Sequence, residues 1–138
     1  MPVVEELKRI VEKLTGIGRP QRRELARLTR PRTPQLFRFR DDGATPNSRL
    51  PLVVYRSALQ LDEAFDPAAV FEETFASHGW REAWRNGVYD FLHFHSATHE
   101  VLGFARGKVT IEFGGRRGRT LTLDARDVVV LPAGIGHR

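Results

Sequence analysis

The chain has 138 residues, 41% hydrophobic and 28% charged, which suits one globular domain, and it contains no cysteine. Disulfides, thiolate metal sites and cysteine nucleophiles are thereby excluded. No apolar run approaches the roughly 20 residues of a membrane helix. The opening Met-Pro-Val-Val-Glu-Glu has no apolar signal core, so a cytoplasmic protein is expected. The net charge of +5 is uneven: residues 1–40 carry +7 and residues 41–138 carry −2. The basic character therefore belongs to the N-terminal segment. Neither a membrane nor nucleic acid is an expected partner of the body.

Val3/Val4, Leu7, Ile10/Val11 and Leu14 recur at helical spacing, with Glu, Lys and Arg between them. This predicts a helix over 3–14, stopped by Gly16 and Gly18. A second helix is predicted from Pro20 to Arg30. Pro20 suits a first turn, Leu25 and Leu28 form a narrow apolar edge, and Pro31 and Pro34 end it. Residues 1–35 thus read as a basic helical extension. Its Arg19, Arg22, Arg23, Arg27, Arg30 and Arg32 have the chemistry to meet phosphates or an anionic lipid surface. A charge run more commonly solvates an exposed helix face.

From Leu36 the period changes to two: Phe37 and Phe39 alternate with Arg38 and Arg40, as in a strand. Asp41-Asp42-Gly43 and Thr45-Pro46-Asn47-Ser48 are turn and loop chemistry, and 52–55 is a short apolar strand. One helix interrupts, with Asp66 as N-cap, Pro67 in the first turn and Gly79 past the end. Val70, Phe71 and Phe75 would face the core, and Trp80 and Trp84 would cover one end of it. Then come predicted strands over 88–95, 100–106, 109–113, 120–123 and 128–131, punctuated by Gly107, Gly114-Gly115, Gly118 and Asp124. Short strands at this spacing indicate a sandwich or barrel. Gly114–Gly118 lacks the Lys-Ser/Thr and the helix of a phosphate loop and reads as a hairpin tip.

On a strand over 88–95, His93 and His95 share a face with Tyr89 and Phe91, because side chains alternate. Glu100 opens the next strand. Two imidazoles and a carboxylate are the ligand set of a divalent transition-metal site with open positions. His137, after Val130-Leu131-Pro132-Ala133-Gly134-Ile135-Gly136, is placed where a barrel can bring it to the same point. The competing helical reading pairs His95 with His99, but no Glu follows the first His, so the zinc-protease pattern fails. On local grounds a metal site and a set of structural histidines remain side by side. His99 should point away from Glu100, in a supporting or surface role.

Longer spacing adds to this. Gly87, five residues, His93, one residue, His95, four residues, Glu100, six residues and Gly107 form one pattern. Position 126, five residues, Pro132, one residue, Gly134, two residues and His137 form another. These resemble the two signature motifs of the cupin superfamily, and residues 36–138 resemble small, largely uncharacterised YjlB-like bacterial cupins. The resemblance implies a mainly β fold, an RmlC-like jelly-roll barrel, as a domain over 36–138. It carries His93, His95, Glu100 and His137 over as ligands of one divalent transition metal (Fe, Mn, Ni, Zn or Co). Tyr89, Phe91, Leu102 and Phe104 would line the pocket. Two departures stand out. Arg126 occupies the position usually held by Gly, where a left-handed backbone resists a side chain. The Asn beyond the last His is missing, and the strands that ordinarily follow that His would lie beyond Arg138.

The resemblance implies a metal-dependent enzyme of oxygenase, isomerase or decarboxylase type acting on a small organic substrate. The alternative is a non-catalytic metal or small-ligand binding and sensing protein. No independent acid and base pair specifies a reaction: Glu100 is committed to the metal, and Asp90 should point outward. Leu92 and Phe94 alternate with the ligands and would form a subunit contact, so a homodimer is expected.

Overall fold

The computed structural model describes residues 2–41, 43, 47–81, 83, 85 and 98–138. The chain divides into two compact units. One gathers 1–31 with 58–87, and the other gathers 32–57 with 88–138. The inserted helix therefore belongs with the two N-terminal helices, not with the strands on either side of it.

In the helical unit, α1 runs Pro2–Thr15, as its periodicity predicts, and gives way to Gly16 and Gly18 at positive φ. The second helix, α2, is shorter than predicted, Arg22–Leu28. Its start is set by the Gln21 N–H donating to the Glu24 carboxylate at 2.8 Å, so Pro20 precedes the helix instead of opening it. Its end is set by tertiary pairing: Thr29 bridges Leu59, and the Arg30 N–H donates to the Ala58 carbonyl at 2.8 Å. That bridge draws the chain into an extended path before Pro31 can act. The third helix, α3, spans Pro67–Ser77 with Asp66 at the N-cap position. Leu25, Leu28, Leu59, Ala69, Val70 and Phe71 form the buried apolar centre. Phe75 packs its ring against Phe71 in a tilted pair, centroids 5.9 Å apart, but stays half-buried. Asp66 does not cap α3 with its side chain. Its carboxylate is committed to Lys8 at 3.2 Å and Arg85 at 2.9 Å.

The other unit is built of β1 (Gln35–Phe37), β2 (Leu52–Tyr55), β3 (Glu100–Gly103), β4 (Lys108–Phe113), β5 (Arg119–Asp124) and β6 (Val128–Leu131). Four of these form an antiparallel sheet in the order β1-β2-β6-β3, and β4-β5 is an antiparallel hairpin. Leu52, Val54, Ile111, Phe113, Leu123, Val129, Leu131 and Ile135 make its core, flanked by Phe37, Phe39, Leu102, Phe104, Val109 and Leu121. Inward and outward residues alternate, as period two requires: Leu52 and Val54 are buried while Val53 and Tyr55 are not. The hairpin tip over 114–118 is as predicted, closed by the Gly118 N–H on the Gly115 carbonyl at 2.9 Å. Gly114 sits at φ +79, and a Cβ there would lie 2.5 Å from the Phe39 ring.

The sheets are antiparallel and the unit is β throughout its described elements, but no closed barrel exists among the described residues. The predicted strand over 88–95 lies outside them, as does Trp84. No described helix is long and apolar enough to cross a membrane.

Candidate metal centre

Glu100 and His137 come from the two segments that β3 and β6 position. Glu100 is the first residue of β3, half-buried, in register opposite Leu131 of β6. Leu102, two residues on and on the same face, packs against the core, and Phe104 joins it. Beyond the strand, the Phe104 N–H donates to the Asp127 carbonyl at 3.1 Å and the Arg126 N–H donates back to Phe104 at 2.9 Å.

From Leu131 the chain turns through Pro132–Gly136 and is then clamped to β4. The Gly114 N–H donates to the Gly136 carbonyl, and Arg138 and Glu112 exchange both main-chain hydrogen bonds, all three at 2.8 Å. His137 bridges Phe113 within this clamp, its ring stacked on the phenyl at 6.4 Å and 29°. It is 2% exposed. A histidine one residue from Arg138 is thus tightly held, because backbone pairing on both sides fixes it.

His99 is exposed, and its Nδ1 accepts a hydrogen bond from the Ala133 N–H at 2.9 Å. The residue before one expected ligand therefore anchors the loop that leads to another. The supporting or surface role expected of His99 named no partner for it. The signal was absent, since the partner is a backbone group 34 residues away. Asp127 was also missed. It is 3% exposed and accepts from the Ser57 and Asp124 N–H groups and from Arg56, each at 2.9 Å. It ties the turn before β6 to the end of β2.

Arg126 keeps φ +85 in that turn. The left-handed bend expected of a glycine persists with an arginine in place. Its main chain is held on both sides: the Arg126 N–H bonds Phe104, and the Asp127 N–H bonds Asp124 at 3.1 Å.

His93, His95, Tyr89 and Phe91 lie outside the described residues, as do Leu92 and Phe94. Among the described residues no group of three or more His, Asp or Glu side chains comes together to hold a metal. The donor chemistry of the full set is three imidazoles and one carboxylate, a nitrogen and oxygen set suited to Mn, Fe, Co, Ni, Cu or Zn. Glu100 and His137 fall in the same compact unit.

A second concentration of charge sits in the helical unit. Arg85, 7% exposed at its side chain, donates hydrogen bonds to Glu12 and Glu72 at 2.7 Å each and forms an ion pair with Asp66 at 2.9 Å. Arg19, at 6%, bonds Glu72 at 3.1 Å and Glu73 at 2.9 Å. Three buried carboxylates, Glu12, Asp66 and Glu72, thus share two buried guanidinium groups. Burial pushes the Glu12 carboxyl up, and its hydrogen bond to Asp66 adds to that. Burial opposes ionisation of Asp66 too, but the Glu12 hydrogen bond, Lys8 and the Arg85 charge hold it below the usual carboxylate range. Burial also disfavours the Arg85 cation, yet hydrogen bonds to Glu72 and Glu12 keep it above the ordinary arginine value. Arg19, grouped from sequence with the solvated arginines, is instead an interior residue, because Glu72 and Glu73 on α3 meet it. A cleft of about 480 Å³ in this unit is walled in part by Glu12, Lys13, Arg19, Arg22 and Glu73, and holds none of the expected metal ligands.

No protein-family profile matches the chain, and no solved structure does. Over 108 residues the chain is 40% identical to "Uncharacterized protein YjlB" of Bacillus subtilis (strain 168), covering 78% of this chain and 62% of that one. The chain therefore spans less than two thirds of the length of the relative it matches, and over that span it is YjlB-like in sequence.

Proposed function

We propose that the strand-rich unit is a metal-binding domain of the cupin kind, with His93, His95, Glu100 and His137 holding one divalent transition metal, and that it acts on a small organic molecule. One observation carries this reading furthest. The β3–β6 register sets Glu100 opposite Leu131, and the chain from Leu131 then leads to a histidine that is buried and clamped by main-chain bonds. Both described members of the motif-derived set thus lie in one unit, Glu100 on β3 and His137 beyond the end of its partner strand β6. Imidazole and carboxylate donors suit a metal that acts as Lewis acid or binds dioxygen. The chain's own residues would do the rest. His99 holds the Ala133 loop in place, and Leu102 and Phe104, packed against the apolar core, would line the pocket.

The reaction class is an oxygenase or isomerase, with decarboxylation as a third form. A second reading, metal or ligand binding without turnover, is favoured by one feature. Among the described residues the core around these strands is apolar, and its named members supply no acid and base pair.

Elemental analysis after reconstitution tests the metal. The wild type should hold about one metal per chain, and His93→Ala with His95→Ala should hold almost none while its circular dichroism is unchanged. Equal, negligible metal in both proteins would sink the proposal. Oxygen uptake with small carbonyl and phenolic compounds then separates the classes: turnover without oxygen use points to isomerase or decarboxylase chemistry, and no turnover with metal bound points to the binding role.

A further inference from the structure

The α1 helix is mounted with its charges inward and its apolar side outward. Glu12 is buried against Arg85, Arg9 bonds Glu72 at 2.8 Å, and Lys8 bonds Asp66. The opposite side carries Val3, Val4, Leu7, Ile10, Val11 and Leu14, and Ile17 continues it past the helix. All are exposed, from 45% at Ile10 to 82% at Leu14. An amphipathic helix on a globular unit ordinarily does the reverse. The ion pairs fix this orientation, because rolling the apolar side inward would strip buried carboxylates and guanidinium groups of their partners.

Seven apolar side chains, each about half exposed or more, present an apolar surface on the order of several hundred Å², the scale of one side of a subunit interface. Their order is specific. Val4, Leu7, Val11 and Leu14 are spaced three, four and three apart, the a/d seam of a heptad repeat. Val at both a positions and Leu at both d positions is the pattern that favours two strands. Val3, Ile10 and Ile17, seven apart, widen one edge of the seam.

We propose that this face pairs with the same face of a second copy of the chain, helix against helix. A free helix of this length, about 21 Å, would not pair stably in water. Here it is already folded and anchored by its own unit, so pairing costs little ordering. A membrane surface is the weaker occupant. The helix carries Glu5, Glu6 and Glu12 against Lys8, Arg9 and Lys13, hence no net positive charge, and two of those cations are engaged inward.

Sedimentation velocity on the full chain tests this. The wild type should be a dimer at tens of micromolar. Leu7→Glu with Leu14→Glu should be a monomer with unchanged helix content, and Leu36→Glu, an exposed apolar site off the helix, should leave the dimer intact. Should the double Glu variant misfold, Leu7→Ala with Leu14→Ala keeps helix propensity and should raise the dissociation constant at least about tenfold. A monomeric wild type at that concentration overturns the proposal. So does a dimer that both double variants leave unchanged. Vesicles of mixed neutral and anionic phospholipid provide the remaining arm: a monomeric wild type that sediments with them through this helix assigns the face to a membrane instead.

Discussion

Arg126 is a side chain where the turn before β6 needs a left-handed backbone. An L-residue in that region costs roughly 1–2 kcal/mol, against a smaller entropic cost of putting glycine there. Arg126 is exposed, so little packing would be lost with its side chain. Arg126→Gly should therefore stabilise the protein by about 0.5–1 kcal/mol in urea unfolding, with no change in fold. A loss of stability would show that the guanidinium does something the turn needs. The contrast with Gly114 is instructive. There the Phe39 ring occupies the place of a Cβ, so glycine is required by a neighbour as well as by φ. The hairpin-tip glycine at 114 and the departure at 126 were both legible in the sequence. Which of them is enforced by packing was not, because the enforcing atoms belong to residues far along the chain.

At the scale of elements, α1 shows what periodicity states and what it leaves open. The 3.6-residue pattern located the helix and its apolar stripe, but periodicity is symmetric between a stripe that faces a core and one that faces outward. Glu12 decides the matter, being buried among carboxylates and arginines from three other segments. Its raised carboxyl has a definite consequence for stability. The folded chain takes up a proton at Glu12 at higher pH than the unfolded chain does, so this group's contribution grows as pH falls through the region just above the usual carboxylate range. Asp66, held low, acts oppositely, and its contribution is lost only at still lower pH. Glu12→Gln keeps a hydrogen-bond donor toward Asp66 but removes the titration. The melting-temperature difference, wild type minus variant, should increase between pH 7 and about pH 5. A flat difference would mean that Glu12 is not the group that titrates.

At the scale of the molecule, the chain divides its labour between a helical unit held partly by buried ion pairs and a strand-rich unit held by an apolar core. Removing one partner from a buried charge network leaves the others uncompensated, at a cost on the order of 3–5 kcal/mol. Arg85→Ala should therefore raise amide exchange sharply through 2–31 and 58–81, while protection in β4, β5 and β6 changes much less. Uniform loss of protection across both units would show that the chain opens as one cooperative block.

Sequence alone located most of the elements, because hydrophobic period, turn residues and caps act over a few neighbours. The helix over 3–14, the strands at 52–55 and 128–131 and the hairpin tip at 114–118 all follow from such local rules. It also singled out Glu100 and His137 within a spaced motif. Only the tertiary structure decided where α2 stops, since Thr29 is captured by Leu59, and that Asp66 serves Arg85 and Lys8 instead of capping α3. It also decided that Arg19 is interior, that His99 holds the Ala133 loop, and that the apolar side of α1 faces outward. Each of these depends on a partner distant in sequence. A charge or a hydrogen-bonding group declares its own chemistry in the sequence, but the group that satisfies it is chosen by the fold.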